Sequence, residues 1–179
     1  MKIALVRHFK VNQPFPKQPL LSRYELMKWF MAYDNTIDIE YKKVDLSPIN
    51  YQHCYSSPMI RAMNTAKHIF EREIVEIEEL TELAILHRLP NWVKLPFIIW
   101  AIIVRFKSLE SNSDTKKFKD GVISFVDTLT TSERENTLVV SHWFVMKIIQ
   151  EELLRRGFTG DIFKSADYGK VYVYEHNNY

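Results

Sequence analysis

The chain has 179 residues, with 24 Lys and Arg against 22 Asp and Glu, 46% hydrophobic residues, one cysteine and four glycines. This composition suits one globular domain over residues 1–179, and the formal charge of +2 argues against a nucleic-acid partner. The lone Cys54 excludes an internal disulfide and a multi-cysteine metal site, and the scarcity of glycine argues against a glycine-rich nucleotide loop.

Neither a signal peptide nor a membrane span is predicted. The first apolar run ends at Arg7, which is too early for a signal-peptide core. The longest apolar run, residues 95–104, would span about 15 Å as a helix, roughly half of a bilayer core. We therefore expect a buried or capping helix there, no stable membrane insertion, and a cytoplasmic location.

In the first half of the chain, short apolar runs alternate with helical patterns. The predicted elements are a strand at 2–6, a proline-rich loop at 12–21, a helix opened by the capping box of Ser22 and Glu25, a strand at 51–55, and a helix capped by Ser57 with Pro58 in its first turn. The last of these helices has an apolar face that Arg61 does not share. The pattern is typical of strands and helices that alternate in sequence.

The second half continues the alternation. It predicts strands at 74–77, 137–141 and 171–174, a helix over 113–131, and a helix after the strand at 137–141 that ends before Gly157. Strands alternating with helices indicate an α/β fold of three layers, a mostly parallel sheet with helices on both faces. In such sheets, ligands bind at the carboxyl ends of the strands.

Three of the predicted strands lead to basic or imidazole side chains. The first ends at Arg7 and His8, the second precedes Arg61, and the strand at 137–141 is followed by His142. Guanidinium groups match the geometry of phosphate oxygens, and nearby cations favour the neutral form of an imidazole. A neutral imidazole nitrogen is a nucleophile. The pattern therefore predicts a phosphate pocket with a histidine placed to attack phosphorus.

The motifs Val6-Arg7-His8, Ser57-Pro58-Met59-Ile60-Arg61-Ala62-Met63-Asn64-Thr65-Ala66 and Val140-Ser141-His142 resemble those of the histidine phosphatase superfamily, the phosphoglycerate mutase-like fold. The resemblance covers residues 2 to about 155.

The resemblance implies a role for each matched residue. His8 is the expected nucleophile, and Arg7, Arg61 and His142 are the expected phosphate-binding groups, with His142 also in the catalytic set. In the sequence Leu80-Thr81-Glu82, Glu82 is the expected acid for the leaving oxygen, with Glu78 and Glu79 as competitors. The chemistry implied needs neither metal nor cofactor.

The chain departs from the family pattern beside both histidines. Phe9 and Trp143 occupy positions where the family often has glycine, which predicts bulk beside the phosphate and a role in shaping the substrate site. Val11 and Pro14 replace the usual polar residues after the nucleophile, so Asn12 is the candidate for the missing phosphate contact.

The segment 87–111 has two interpretations. It is either an apolar helix packed in the core or a helical lid that folds over the site, with Lys94 and Arg105 shaping substrate choice. The lid interpretation predicts a substrate with an apolar or aromatic part.

The sequence as a whole predicts a metal-independent phosphomonoesterase acting through phospho-His8. Its partner would be a small phosphorylated substrate or a phosphoprotein. The alternatives are a mutase of the phosphoglycerate type and a catalytically silent protein that binds a phosphorylated ligand. Neither the natural substrate nor the oligomeric state follows from the sequence.

Overall fold

The computed structural model describes residues 1–47, 49–83, 85–110, 112–131 and 135–176. The strands are β1 (Lys2–Arg7), β2 (Lys10–Val11), β3 (Leu21–Ser22), β4 (Ile39–Glu40), β5 (His53–Ser56), β6 (Ile74–Glu76), β7 (Lys94–Leu95), β8 (Thr137–Ser141), β9 (Thr159–Gly160) and β10 (Val171–Glu175). The helices are α1 (Arg23–Asn35), α2 (Ile60–Ile69), α3 (Phe97–Leu109), α4 (Ser113–Thr131) and α5 (Trp143–Arg155), with short 3-10 turns at Glu78–Leu80 and Leu86–Arg88.

The central sheet has the strand order β6-β5-β8-β1-β10-β9. Strands β6, β5, β8 and β1 are parallel, and β10 and β9 add an antiparallel edge. Along β1, Ile3 and Leu5 pack with side chains of α4 and α5, whereas Ala4 and Val6 pack with α2. Helices therefore cover both faces, which confirms the predicted three-layer α/β fold.

The predicted elements agree closely with the structure at β1, β8 and α4. The capping box at the start of α1 is also present, because the Ser22 hydroxyl accepts from the Glu25 amide while the Glu25 carboxylate accepts from the Ser22 amide. Each of these elements is specified by a local pattern, and its boundaries are accordingly close to the predicted ones.

The start of α2 was predicted wrongly. Ser57 and Pro58 precede the helix, whose N-cap is Met59 without a side-chain cap. The Ser57 hydroxyl accepts from the Met59 amide and lies 2.9 Å from a ring nitrogen of His142. The Ser57 hydroxyl, which the sequence assigned to the cap of α2, therefore contacts His142, a residue distant in sequence.

The segment 87–111 forms β7, which pairs with β3, and then α3; Ser111 lies outside the described residues. In α3, Trp100 is fully buried and its indole N–H donates to the Leu21 carbonyl at 2.7 Å. Ile98, Ile102 and Phe106 are largely exposed, so α3 covers the core with one face only. Among the described helices, none is long and apolar enough to cross a membrane.

Candidate active site

The carboxyl ends of β1, β5 and β8 meet at one edge of the sheet. The register pairs Arg7 with Ser141 and Ser56 with Val140, so the residues that follow each strand emerge side by side. The His8 amide continues the pairing by donating to the Ser141 carbonyl at 3.0 Å. The rings of His8 and His142 consequently lie with their centroids 5.0 Å apart.

His8 is held in one tautomer by its own backbone. Its Nδ1 lies 2.7 Å from the Phe9 carbonyl oxygen, which can only accept, so Nδ1 carries the proton. The Nε2 lone pair is therefore available, and in this structure it accepts from Nε of Arg61 at 3.3 Å. Burial, followed by the positive charge of Arg61, holds the pKa of His8 well below its ordinary value, against an opposing effect of the Phe9 carbonyl. The ring is thus a neutral imidazole with a defined nucleophilic nitrogen.

Arg61, near the start of α2, is the most heavily bonded side chain of the site. It is 2% exposed, and its three nitrogens reach three different partners. Nε donates to His8, Nη1 to the Asp34 carboxylate at 2.7 Å, and Nη2 to the Glu82 carboxylate at 2.9 Å. Two carboxylates therefore accept from guanidinium N–H groups that could also bind a phosphate.

The Arg7 guanidinium is held by two protein contacts, but its Nε lacks a hydrogen-bond partner among the described residues. Its Nη1 donates to the Ala166 carbonyl at 2.8 Å, and its guanidinium lies 3.7 Å from the centre of the Tyr168 ring. Its buried Nε has no hydrogen-bond partner among the described residues. Since a buried N–H without a partner is costly, this atom is a ready donor for an anion.

His142 is fully buried and is oriented by Ser57. The Ser57 hydroxyl accepts from the Met59 amide and lies 2.9 Å from Nε2 of His142. The other ring nitrogen, Nδ1, lacks a hydrogen-bond partner within the described chain and lies 3.6 Å from Glu82. Burial holds the pKa of His142 well below its ordinary value, and the electrostatic interactions with the neighbouring His8 and then with Arg61 and Arg7 lower it further.

Glu82 lies between Arg61 of α2 and His142, which follows β8. Its carboxylate contacts Arg61 and approaches His142, and its side chain remains 42% exposed. Glu78 and Glu79, the competing carboxylates, are exposed on the preceding 3-10 turn. Because the Glu82 side chain is partly exposed to solvent and also contacts Arg61, it can exchange protons with water and with a bound ligand.

A cavity of about 600 Å³ opens beside these residues. Its charged or polar lining comprises Arg7, Tyr33, Asp34, Arg61, Thr81, Glu82, His87, Arg105 and Ser108. Its apolar lining comprises Met27, Phe30, Met59, Leu83, Ile85, Leu86, Ala101, Val104, Trp143 and Phe144. Trp143 is thus a wall of the cavity, and the Arg105 guanidinium covers its ring at 3.9 Å.

The prediction that Phe9 places bulk beside the phosphate is wrong. Its ring is fully buried with Val11 and Ile39 and contacts the rings of Tyr41 and His68. Only the backbone of Phe9 takes part in the site, because its carbonyl accepts from His8 and its amide donates to Thr65. The side chain points away because β1 has ended and the chain turns into a separate small apolar cluster.

Two other predicted residues lie away from the cavity. Asn12 is exposed, and both its backbone and its side-chain amide donate to Asp38, so its side chain is committed to the β2–β4 pair. Lys94 is exposed on β7 and does not line the cavity. The structure therefore brings Arg105, but not Lys94 or Asn12, to the cavity that Arg7 and Arg61 line.

Sequence reasoning missed three residues of the site. Asp34 comes from the last turn of α1, Tyr168 comes from the loop before β10, and Ser57 was assigned to a helix cap. Tyr168 is brought in by a bridge to Arg7, and its ring lies 5.5 Å from that of His8. Of the three, only Ser57 lies in a motif that the sequence offered.

Comparisons with known proteins were made for the whole chain. The family model described as histidine phosphatase superfamily (branch 1) matches residues 42–178. None of the curated proteins matches.

Solved structures share the fold. The chain is similar to a protein from Escherichia coli provisionally assigned as an alpha-ribazole-5'-P phosphatase, with 16% identity over 99% of this chain and 91% of that one and a TM-score of 0.58. An alpha-ribazole phosphatase from Shigella flexneri gives 16% identity over 99% and 91%, with a TM-score of 0.56. YhfR from Bacillus stearothermophilus gives 16% over 98% and 91%, with a TM-score of 0.54. At these identities the similarity concerns the fold.

Proposed function

The chain belongs to the histidine phosphatase superfamily (branch 1), and on that premise we propose that it is a metal-independent phosphomonoesterase that acts through a phosphohistidine at His8. The observation that carries the proposal is the hydrogen bond from Nδ1 of His8 to the Phe9 carbonyl. This bond leaves the lone pair on Nε2, where Arg61 approaches it. A neutral nucleophile beside a fixed cation is the arrangement that phosphoryl transfer requires.

In the first step, Nε2 of His8 attacks phosphorus and the bond from phosphorus to the ester oxygen breaks. Glu82, which takes up a proton from solvent when the phosphate replaces it on Arg61, gives that proton to the departing oxygen, so that an alcohol leaves. The Nε2 lone pair passes from Arg61 to phosphorus, and the guanidinium N–H groups turn to the phosphoryl oxygens. The products of this step are the free alcohol, ionised Glu82 and phospho-His8.

In the second step, Glu82 takes a proton from water as the oxygen attacks phosphorus. The bond between phosphorus and Nε2 breaks, the electron pair returns to His8, and inorganic phosphate leaves. Charge on the phosphoryl oxygens is stabilised throughout by Arg61, by the Nε–H of Arg7 and by His142, on the proposal that its Nδ1 carries the proton; both atoms lack a hydrogen-bond partner within the described chain. Each of these donors is buried, so it acts in a medium where electrostatic stabilisation is strong.

Hydrolysis of an aryl phosphate with EDTA present tests this proposal. We expect turnover by the wild type and loss of at least a thousandfold in His8→Asn, which keeps the size and the Nδ1-like donor but removes the nucleophile. His53→Asn is the matched control, because His53 is an exposed histidine paired with Glu135 on β5. Metal dependence, or turnover that survives in His8→Asn, contradicts the mechanism.

A second function, a catalytically silent binder of phosphorylated ligands, is favoured by one observation. Asp34 and Glu82 both occupy Arg61, and His8 is 2% exposed. Such a protein would show no turnover, yet millimolar phosphate would raise its Tm. Turnover that depends on His8 eliminates this alternative.

A further inference from the structure

The cavity combines a charged group of residues with apolar walls from five separate parts of the chain. Arg7, Arg61 and Glu82 line it together, and Arg61 contacts Glu82 directly. The apolar lining comes from α1, from Met59 just before α2, from the segment that follows Glu82, from the inner face of α3 and from the start of α5. At about 600 Å³ it has room for far more than a phosphate group, so part of any ligand must contact these walls.

The basic groups of the lining are mostly engaged with protein partners. Arg61 is bonded to two carboxylates, and Arg105 is stacked over Trp143. His87 is exposed at the surface. Among the described residues that line the cavity, Arg61 is the buried cation, and Arg105, the cation on α3, is exposed and lies flat over the Trp143 ring. A second anionic group on a substrate would therefore have to bind at the solvent-exposed rim of the cavity. An apolar substituent needs only the walls that are present.

We propose, on the basis of the proposed function, that the substrate is the phosphate monoester of an apolar or aromatic alcohol. The phosphate occupies the group formed by Arg7, Arg61 and His142, and the alcohol lies between α1 and α3. The inner face of α3 contacts it through Ala101 and Val104. Binding this part removes apolar surface from water on both ligand and protein, and it supplies the affinity and the discrimination.

A series of 4-alkylphenyl phosphates, from hydrogen to butyl, tests the proposal, because alkyl groups in this position barely alter the leaving phenol. We expect kcat/KM to rise by about fourfold for each methylene until the cavity is full. A polar comparator, a phenyl phosphate with a 4-carboxylate, is expected to react more slowly than the unsubstituted compound. A flat series, or a preference for the carboxylate, overturns the proposal.

Paired variants on α3 locate the effect. Val104 lines the cavity, whereas Ile102 on the same helix is 47% exposed and does not line it. Val104→Ser is expected to reduce the preference for butylphenyl over phenyl phosphate by about fivefold, because serine replaces part of the apolar wall with a hydroxyl. Ile102→Ser is expected to leave that preference unchanged. Equal effects of the two variants contradict the assignment of this wall.

The proposal and the proposed function fail in different ways. Hydrolysis of phenyl phosphate that depends on His8, without a gain along the alkyl series, refutes the substrate class alone. If no phosphate is hydrolysed, the binding of alkylphosphonates of increasing length, measured by calorimetry, still tests the cavity. A dissociation constant that falls by about fourfold per methylene supports the substrate class, and a constant value refutes it.

Discussion

Truncation of Phe9 to alanine separates the stability of the protein from its chemistry. The ring is fully buried, packs with Val11 and Ile39, and contacts Tyr41 and His68. Removal of a buried phenyl ring costs about 3–5 kcal/mol, because apolar burial is forfeited and a cavity remains. For a chain of this size the Tm should fall by roughly 10 °C.

The same substitution should leave catalysis almost intact. The amide and carbonyl of Phe9, which bond Thr65 and His8, are present in any residue at this position other than proline. We therefore expect Phe9→Ala to keep kcat/KM for an aryl phosphate within about threefold of the wild type, when both are assayed well below their Tm.

Trp143→Ala is the complementary variant. Trp143 lines the cavity and is only partly buried, so its removal should raise KM with a smaller fall in Tm. Thermal melts and steady-state kinetics on both variants decide the matter. If Phe9→Ala keeps its Tm and alters KM, the assignment of the ring to the small apolar cluster is refuted.

Three further predictions concern the charges of the site. Asp34→Asn should tighten phosphate binding by about tenfold in calorimetry, because it removes a negative charge 2.7 Å from Arg61; weaker binding would show that Asp34 positions the arginine instead. Glu82→Gln should slow alkyl phosphates much more than 4-nitrophenyl phosphate, whose leaving group needs no proton; equal losses contradict the acid role. Because burial keeps His8 and His142 neutral, only the unfolded chain gains their protons below the ordinary pKa of 6.5. As the pH falls below that value, the free energy of unfolding should therefore decrease by about 3 kcal/mol per pH unit, about half of it from each histidine. Urea melts at several pH values should show that His8→Asn, or His142→Asn, halves this dependence of the free energy of unfolding on pH. An unchanged dependence contradicts the conclusion that both histidines are neutral in the folded protein.

The sequence predicted the part of the site that depends on strand ends. The strand at 137–141 is specified by its own apolar run, and β1 likewise, so the residues just after them could be assigned to one edge of the sheet. Parallel pairing then brings Arg7, His8 and His142 together without further information.

The orientation of side chains beyond the strand ends could not be predicted. The orientation of the Phe9 ring depends on packing partners such as Ile39, which is 30 residues away in sequence. The loop that contains Tyr168 lies beside Arg7 because the two residues form a bridge at the edge of the sheet. Asp34 closes α1, where a carboxylate is ordinarily a solvated surface group, and only the packing of α1 beside α2 brings it to Arg61. Contacts between residues distant in sequence leave no local pattern to read.

The apolar segment at 95–104 shows a different limit. Its composition predicts burial, but a helix that borders a cavity has one face toward the ligand space and one toward solvent. Trp100 anchors it to the Leu21 carbonyl, whereas Ile98 and Ile102 are exposed. The sequence indicated a helix and left open whether it packs in the core or folds over the site, and only the structure assigns its faces.

The phosphoenzyme is the central claim, and rapid quenching measures it most directly. The protein is mixed with an aryl phosphate labelled with ³²P in EDTA, quenched in alkali within the first turnover, and digested for mass spectrometry. We predict an alkali-stable, acid-labile phosphoryl group on the peptide that contains His8, which is absent from His8→Asn and present in His53→Asn. Steady turnover without label on His8, or label on another residue, contradicts the account.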